Sequence, residues 1–280
     1  MTVTQARSLG LARGLQVELA TADPGLLAWS APLAEPSRAP AARLVVVADA
    51  AQPAPTQRDR RLSFETTTRW AGARGSVLVD GGAATIELDP LVRAELRAHP
   101  DALVGATNTL LRLLLALLLP TRGGVLLHAS AVALDGQAWL LVGASGAGKT
   151  TTARRAGREG AMRLADDLAV AWTTRDGAAV EPCVFDQACR LPGRRGHVVP
   201  LVGMHPVHKG AAATQPGRWL PSLSTWASAL LLPPVPAGLG EPTVATLAAL
   251  AAAVRPRALE VAPAGPVLDV LRSTAISRVP

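Results

Sequence analysis

Over the first ninety residues apolar positions alternate with polar ones in short runs, the period-two pattern of half-buried strands. Residues 15–19, 44–48, 62–66, 77–79 and 84–88 are read as strands, and Asp80-Gly81-Gly82 joins the last two as a hairpin turn. Pro- and Ala-rich connectors at 31–42 and 52–55 separate the others as loops. Helices are predicted at 90–98 and 101–119. The second is apolar on every side, so it is expected between layers or beneath a sheet.

At Gly123 the pattern changes. Residues 125–128, 131–134 and 138–142 form short apolar strands, and Asp135-Gly136 turns the second into the third. A hairpin therefore feeds the strand that ends at Val142, where a plain dinucleotide-binding unit would bring a helix. A helix at 149–158 stopped by Gly160, a strand at 162–165 and a hairpin of 168–174 with 178–183 about Asp176-Gly177 follow. Residues 184–222, rich in Gly, Pro and Arg, are expected to form a long loop region. Helices at 223–232, 243–254 and 267–272 and a strand at 258–261 complete the chain. The change of pattern between 100 and 122 divides it into a small β-rich module, 1–100, and an α/β domain, 101–280.

Composition narrows the class. With 280 residues, 49% hydrophobic and 18% charged, the chain can bury a full core. The most apolar stretch, 109–119, holds Arg112, ends at Pro120 and falls short of the roughly 20 residues of a membrane span. No secretory signal is visible at the N-terminus, so a cytoplasmic protein without membrane association is expected. Cys183 and Cys189 have five residues between them and no ligand-type partner at metal spacing, which indicates neither zinc nor a disulfide framework. The net charge of +7 is nearly all arginine, Lys149 and Lys209 being the only lysines. Because the arginines are scattered and aromatics make up only 3%, nucleic acid is not the expected partner.

Gly143-Ala144-Ser145-Gly146-Ala147-Gly148-Lys149-Thr150 is a P-loop pattern lying between a strand and a helix. The glycines let backbone N–H groups approach a phosphate chain at a helix N-terminus, and Thr151 continues that first turn. Lys149 would reach the β and γ phosphates of ATP or GTP, and the Thr150 hydroxyl would ligate Mg2+. This composition yields about 0.002 such matches by chance, so the motif is read as a nucleotide site. Asp166 and Asp167 close an apolar strand beyond the loop, where one acid can bind magnesium and the other accept a proton from an incoming hydroxyl. His128 ends a strand close by. Its spacing fits a group that orients the acid or touches phosphate, and equally a buried histidine with a satisfied hydrogen bond. His205, His208, Lys209 and Arg218 fall in the expected late loop, as solvated charges or as groups closing over phosphate or peptide.

Leu126-Leu127-His128-Ala129-Ser130-Ala131-Val132, the loop from Gly143 to Thr150, and Arg163-Leu164-Ala165-Asp166-Asp167 together resemble the kinase domain of HPr kinase/phosphorylase. They are most similar to the HPr-kinase-related kinases of peptide-modification systems, including those acting on lasso-peptide precursors. The resemblance covers residues 123–183. It implies a P-loop kinase core of the HPr kinase and phosphoenolpyruvate carboxykinase type, ATP and Mg2+ as cofactors, and γ-phosphoryl transfer to serine of a peptide or small protein. It also implies Asp166 as general base, Asp167 on the magnesium side and His128 in support, with the two acids open to exchange, and a tendency to homo-oligomers. Residues 184–222 show no match to the family's signature for HPr recognition and phosphorolysis. A small-molecule kinase, a nucleotide-dependent switch or assembly ATPase, and a silent nucleotide-fold scaffold remain alternatives.

Overall fold

A computed structural model of the chain describes residues 5–13, 15–21, 23–36, 42–46, 61–67, 72–80, 83–88, 100–186, 196–210, 212–231 and 240–275. The chain is mixed α/β and divides into two compact units, Met1–Thr121 with Leu232–Leu239, and Arg122–Leu231 with Gly240–Pro280.

The first unit carries six strands, β1 (Gln5–Ala12), β2 (Leu15–Thr21), β3 (Ala42–Val46), β4 (Arg61–Thr67), β5 (Gly72–Asp80) and β6 (Ala83–Leu88). Their order is β1-β2-β3-β6-β5-β4, with β3 parallel to both of its neighbours and the remaining pairs antiparallel. β1 and helix α1 (Pro24–Ser30) were not anticipated, although α1 carries a start signal: Asp23 accepts the Leu26 N–H at 2.8 Å and Pro24 opens the first turn. Helix α2 (Pro100–Leu118) packs against α1, β3 and β6, with Leu110, Leu111, Leu114 and Leu115 fully buried. It groups with the first unit, whereas the sequence pattern assigned it to the second domain. The helix expected at 90–98 lies outside the described residues.

The second unit holds β7 (Gly124–His128), β8 (Ser130–Leu134), β9 (Gln137–Val142), β10 (Met162–Ala165), β11 (Leu168–Thr174), β12 (Gly177–Pro182), β13 (Val199–Lys209), β14 (Gln215–Trp219) and β15 (Arg257–Val261). The path runs β10-β8-β9-β13-β12-β11-β7; β15 joins the end of β13 in parallel, and β14 pairs β15. Only β9–β13 and β13–β15 are parallel, so the sheet is mixed. Asp135 (φ 51°) and Gly136 (φ 74°) both adopt positive φ, the turn that matches the twist of the β8–β9 hairpin.

Both faces of this sheet are covered, which is why its strands read as nearly continuous apolar runs. One core gathers Val125, Leu127, Leu140, Met204, Trp226 and Leu250, the last two from α4 (Ser222–Ala229) and α5 (Gly240–Ala253). The other gathers Trp139, Leu141, Ala153, Ala156, Val207 and Leu271, with α3 (Lys149–Arg158) and α6 (Leu268–Ser273). Alternate residues of β9 thus serve opposite cores. No described helix is long and apolar enough to cross a membrane.

The expected loop at 184–222 is corrected: it contains the eleven-residue β13 and β14. β13 contains Pro200 and Pro206, although proline donates no ladder bond. Pro200 pairs β12 at the end of a two-rung ladder, and Pro206 is the final rung with β9 before β13 takes β15 as neighbour. The prolines therefore stand at changes of partner.

Candidate functional site

β9 delivers Val142 into the glycine loop, and α3 begins at its far end. Gly146 (φ 77°) and Gly148 (φ 106°) occupy backbone conformations that L side chains rarely adopt. At Gly148 an added Cβ would also stand 3.2 Å from Cε of Lys209. The Ala147 N–H donates to Ala144 O at 3.1 Å, tightening the loop, and Thr152 N–H donates to Gly148 O at 2.8 Å, starting the helix. α3 has no side-chain N-cap, so its first-turn amides are left for another acceptor.

Lys149 is 6% exposed and its ammonium has three neighbours: Gly143 O at 2.8 Å, Ala144 O at 3.3 Å and His128 Nε2 at 3.1 Å. Burial lowers its pKa, and the nearby Asp167 charge partly opposes that shift. An ammonium only donates, so Nε2 of His128 accepts and the ring proton sits on Nδ1, which faces Asp167 Oδ1 at 3.0 Å. Lys149, His128 and Asp167 form one continuous chain. They line a cavity of about 250 Å³ together with Ser145, Gly146, Thr150, Thr151 and Lys209.

The two adjacent acids face different surroundings. Asp167 lies on the cavity with its side chain 64% exposed, whereas the Asp166 side chain is 14% exposed and pairs with Arg163 at 3.2 Å. Its second oxygen, Oδ1, is buried without a hydrogen-bond partner. The Asp166 backbone carbonyl accepts from Ser130 Oγ at 2.6 Å and from Thr150 Oγ1 at 3.3 Å, so the Thr150 hydroxyl already meets this turn.

Asp186 holds the turn from beneath. Its buried carboxylate accepts the N–H groups of Asp166 (3.1 Å), Asp167 (2.7 Å) and Leu168 (2.8 Å), while Ala129 N–H donates to Asp167 O at 3.0 Å. Sequence pattern offered no signal for Asp186, because it stands alone after a strand and nineteen residues from its target. α3 is fixed at its other end by Arg155, which donates to Ala262 O and Gly265 O, and by Glu159, which accepts the Val267 and Leu268 N–H groups ahead of α6.

The four late polar residues separate. His205 is buried in β13, its Nδ1 on Arg257 O at 2.8 Å and its Nε2 at 3.0 Å from the Thr274 hydroxyl, and burial pushes its pKa down to about 4. It is a core histidine, away from the loop cavity. His208 and Lys209, successive residues of a strand, point to opposite faces. Lys209 lines the loop cavity, while His208 lines a separate cavity of about 500 Å³ with Gly143, Arg218, Thr225, Ser228 and Glu260.

Among the described residues no three His, Cys, Asp or Glu side chains converge as a metal cage. Magnesium shared with phosphates takes one or two carboxylates and keeps several waters, so the Thr150 hydroxyl and the Asp167 carboxylate on the cavity, with the orphaned Asp166 Oδ1 on the same turn, fit that ion. Compared with known proteins, the chain matches no family model and no curated protein.

Proposed function

We propose that this protein is a magnesium-dependent kinase that uses a nucleoside triphosphate, ATP in the first instance, to phosphorylate a hydroxyl of a peptide or small protein. One observation carries the reading: the glycine loop, Lys149, His128 and Asp167 converge on a single cavity. The same convergence favours a P-loop kinase core of the HPr kinase type over the other folds that bear glycine-rich turns.

Lys149 and the first-turn amides of α3 bind the β and γ phosphates, and the glycine loop orients them. Thr150 and Asp166 would hold Mg2+, which would supply charge neutralisation to the phosphates. Asp167 stands on the cavity wall, so it is the better-placed proton acceptor, in the reverse of the order that the resemblance implied. The acceptor hydroxyl oxygen bonds to the γ phosphorus, the bond to the β–γ bridging oxygen breaks, and the hydroxyl proton passes to the Asp167 carboxylate. The products are a phosphomonoester and the nucleoside diphosphate. His128 donates to Asp167 through Nδ1 and holds its carboxylate toward the loop.

Incubation with γ-labelled ATP, magnesium and serine-containing peptides is the direct test. Asp167→Asn is expected to lower transfer by about 10²- to 10⁴-fold with nucleotide affinity nearly unchanged. If Asp166→Asn abolishes transfer and Asp167→Asn retains it, the two acids exchange roles. Hydrolysis without any phosphorylated product would replace the kinase reading with that of a nucleotide switch.

A further inference from the structure

We infer that Lys209 is a second phosphate-binding residue, holding the α/β end of the nucleotide, and that the cavity on its far side takes the nucleoside. The inference rests on the nucleotide reading above and adds to it a residue and a ligand subsite.

The composition makes the position of Lys209 unusual. Of 28 basic residues two are lysine, and both line the nine-residue loop cavity. With Lys149 placed, the other lysine had eight favourable positions out of 279, about one chance in 35. A chain that otherwise uses arginine keeps the compact ammonium at these two places. An ammonium is a point charge on a flexible stem and can follow phosphate oxygens, where a planar guanidinium needs a matching fork.

Geometry gives the end of the phosphate chain. The Lys209 stem crosses Gly148, with Cε 3.2 Å and Cγ 3.8 Å from the place a Cβ would occupy there. Gly148 immediately precedes α3, whereas Lys149 folds back to Gly143 and Ala144 at the opposite end of the loop. The two ammonium groups thus flank the loop from its two ends. Lys209 has no hydrogen bond or ion pair among the described residues and is exposed, a cation available to a ligand.

Lys209, Gly148 and Thr151 also line an adjoining cavity of about 260 Å³, whose far wall is Arg155, Val261 and Pro263. A phosphate chain running from Lys149 past Thr151 leads into it. None of its lining residues is acidic, and Arg155 is engaged with the Ala262 and Gly265 carbonyls. No carboxylate is therefore present to accept the N1–H and N2–H groups of guanine, and the cavity suits a purine held by apolar contact without a guanine preference.

Calorimetry on the full chain tests this with Mg-ATP, Mg-ADP and Mg-GTP, comparing wild type with Lys209→Ala, Lys209→Met and the distant charge control Arg175→Ala. Both Lys209 variants are expected to weaken ATP and ADP by the same factor, about 10- to 100-fold, while Arg175→Ala changes neither and wild type binds GTP within a few-fold of ATP. If the Lys209 variants bind both adenine nucleotides within twofold of wild type, the inference is wrong and the nucleotide reading survives. A loss confined to ATP moves Lys209 to the γ phosphate and overturns the placement, and strong selection for GTP overturns the nucleoside cavity. Wild type that binds no nucleotide removes both the nucleotide reading and this inference.

Discussion

Two buried titratable groups of different kinds show how burial is tolerated at the residue scale. Lys149 keeps its ammonium because three acceptors surround it, and Asp167 opposes the desolvation that lowers its pKa. Burial lowers the pKa of His205 as well, and with one carbonyl and one hydroxyl as partners it stays neutral down to about pH 4. An unfolded-chain histidine takes up its proton near pH 6.5. Between these values the unfolded chain binds more protons than the folded one, so stability is full above pH 6.5 and is lost as pH falls toward 4. The loss from this one residue is at most about 3 kcal/mol. Urea midpoints measured from pH 7 to pH 4.5 should fall in wild type, and His205→Asn should flatten that difference. Equal slopes in the two proteins would show that His205 is not the neutral core group described.

At the scale of elements, the turn that carries the two acids is held by its surroundings more than by its own sequence. Asp186 receives three consecutive N–H groups, and Ser130 and Ala129 bind the turn from β8 and its approach. Asp186→Asn keeps one acceptor oxygen and removes the charge, leaving buried donors underserved. A destabilisation of about 2–4 kcal/mol is expected, with transfer falling further than nucleotide affinity because the acids move while the loop stays. Unfolding curves and separate binding and transfer assays distinguish these effects. The acids themselves were legible, since they close an apolar strand at P-loop spacing. Their anchor was not, because a long-range carboxylate-to-backbone contact leaves no periodic trace. β13 was hidden for a related reason. Gly203 reads as a strand breaker, yet a Cβ there would stand 2.6 Å from Trp139 and 2.8 Å from His205 Nε2, so packing across β9 and β13 requires glycine. β8, β9 and β11 were readable from sequence because their turns carry Asp-Gly signals and both sheet faces demand apolar residues, and α3 because the glycine loop opens it and Gly160 stops it.

For the whole molecule, every group assigned to the nucleotide and to the transfer step belongs to the second unit: His128, the glycine loop, Asp166, Asp167, Asp186 and Lys209. That unit also contains both of its core clusters in full, from Val125 to Ala275. A unit with its own core and its own site should be separable. A fragment of residues 122–280, which carries residues 232–239 of the first unit with it, is expected to unfold cooperatively and to bind Mg-ATP within a few-fold of the full chain. Transfer to a peptide is the discriminating measurement on the same fragment. If binding and transfer both persist, acceptor recognition also lies in the second unit, and the 500 Å³ cavity with His208, Arg218 and Glu260 becomes the place to substitute. If binding persists and transfer is lost, the β-rich first unit contributes to acceptor capture. A fragment that fails to fold would mean that the two cores do not suffice, and the division into units would be one of contact density alone.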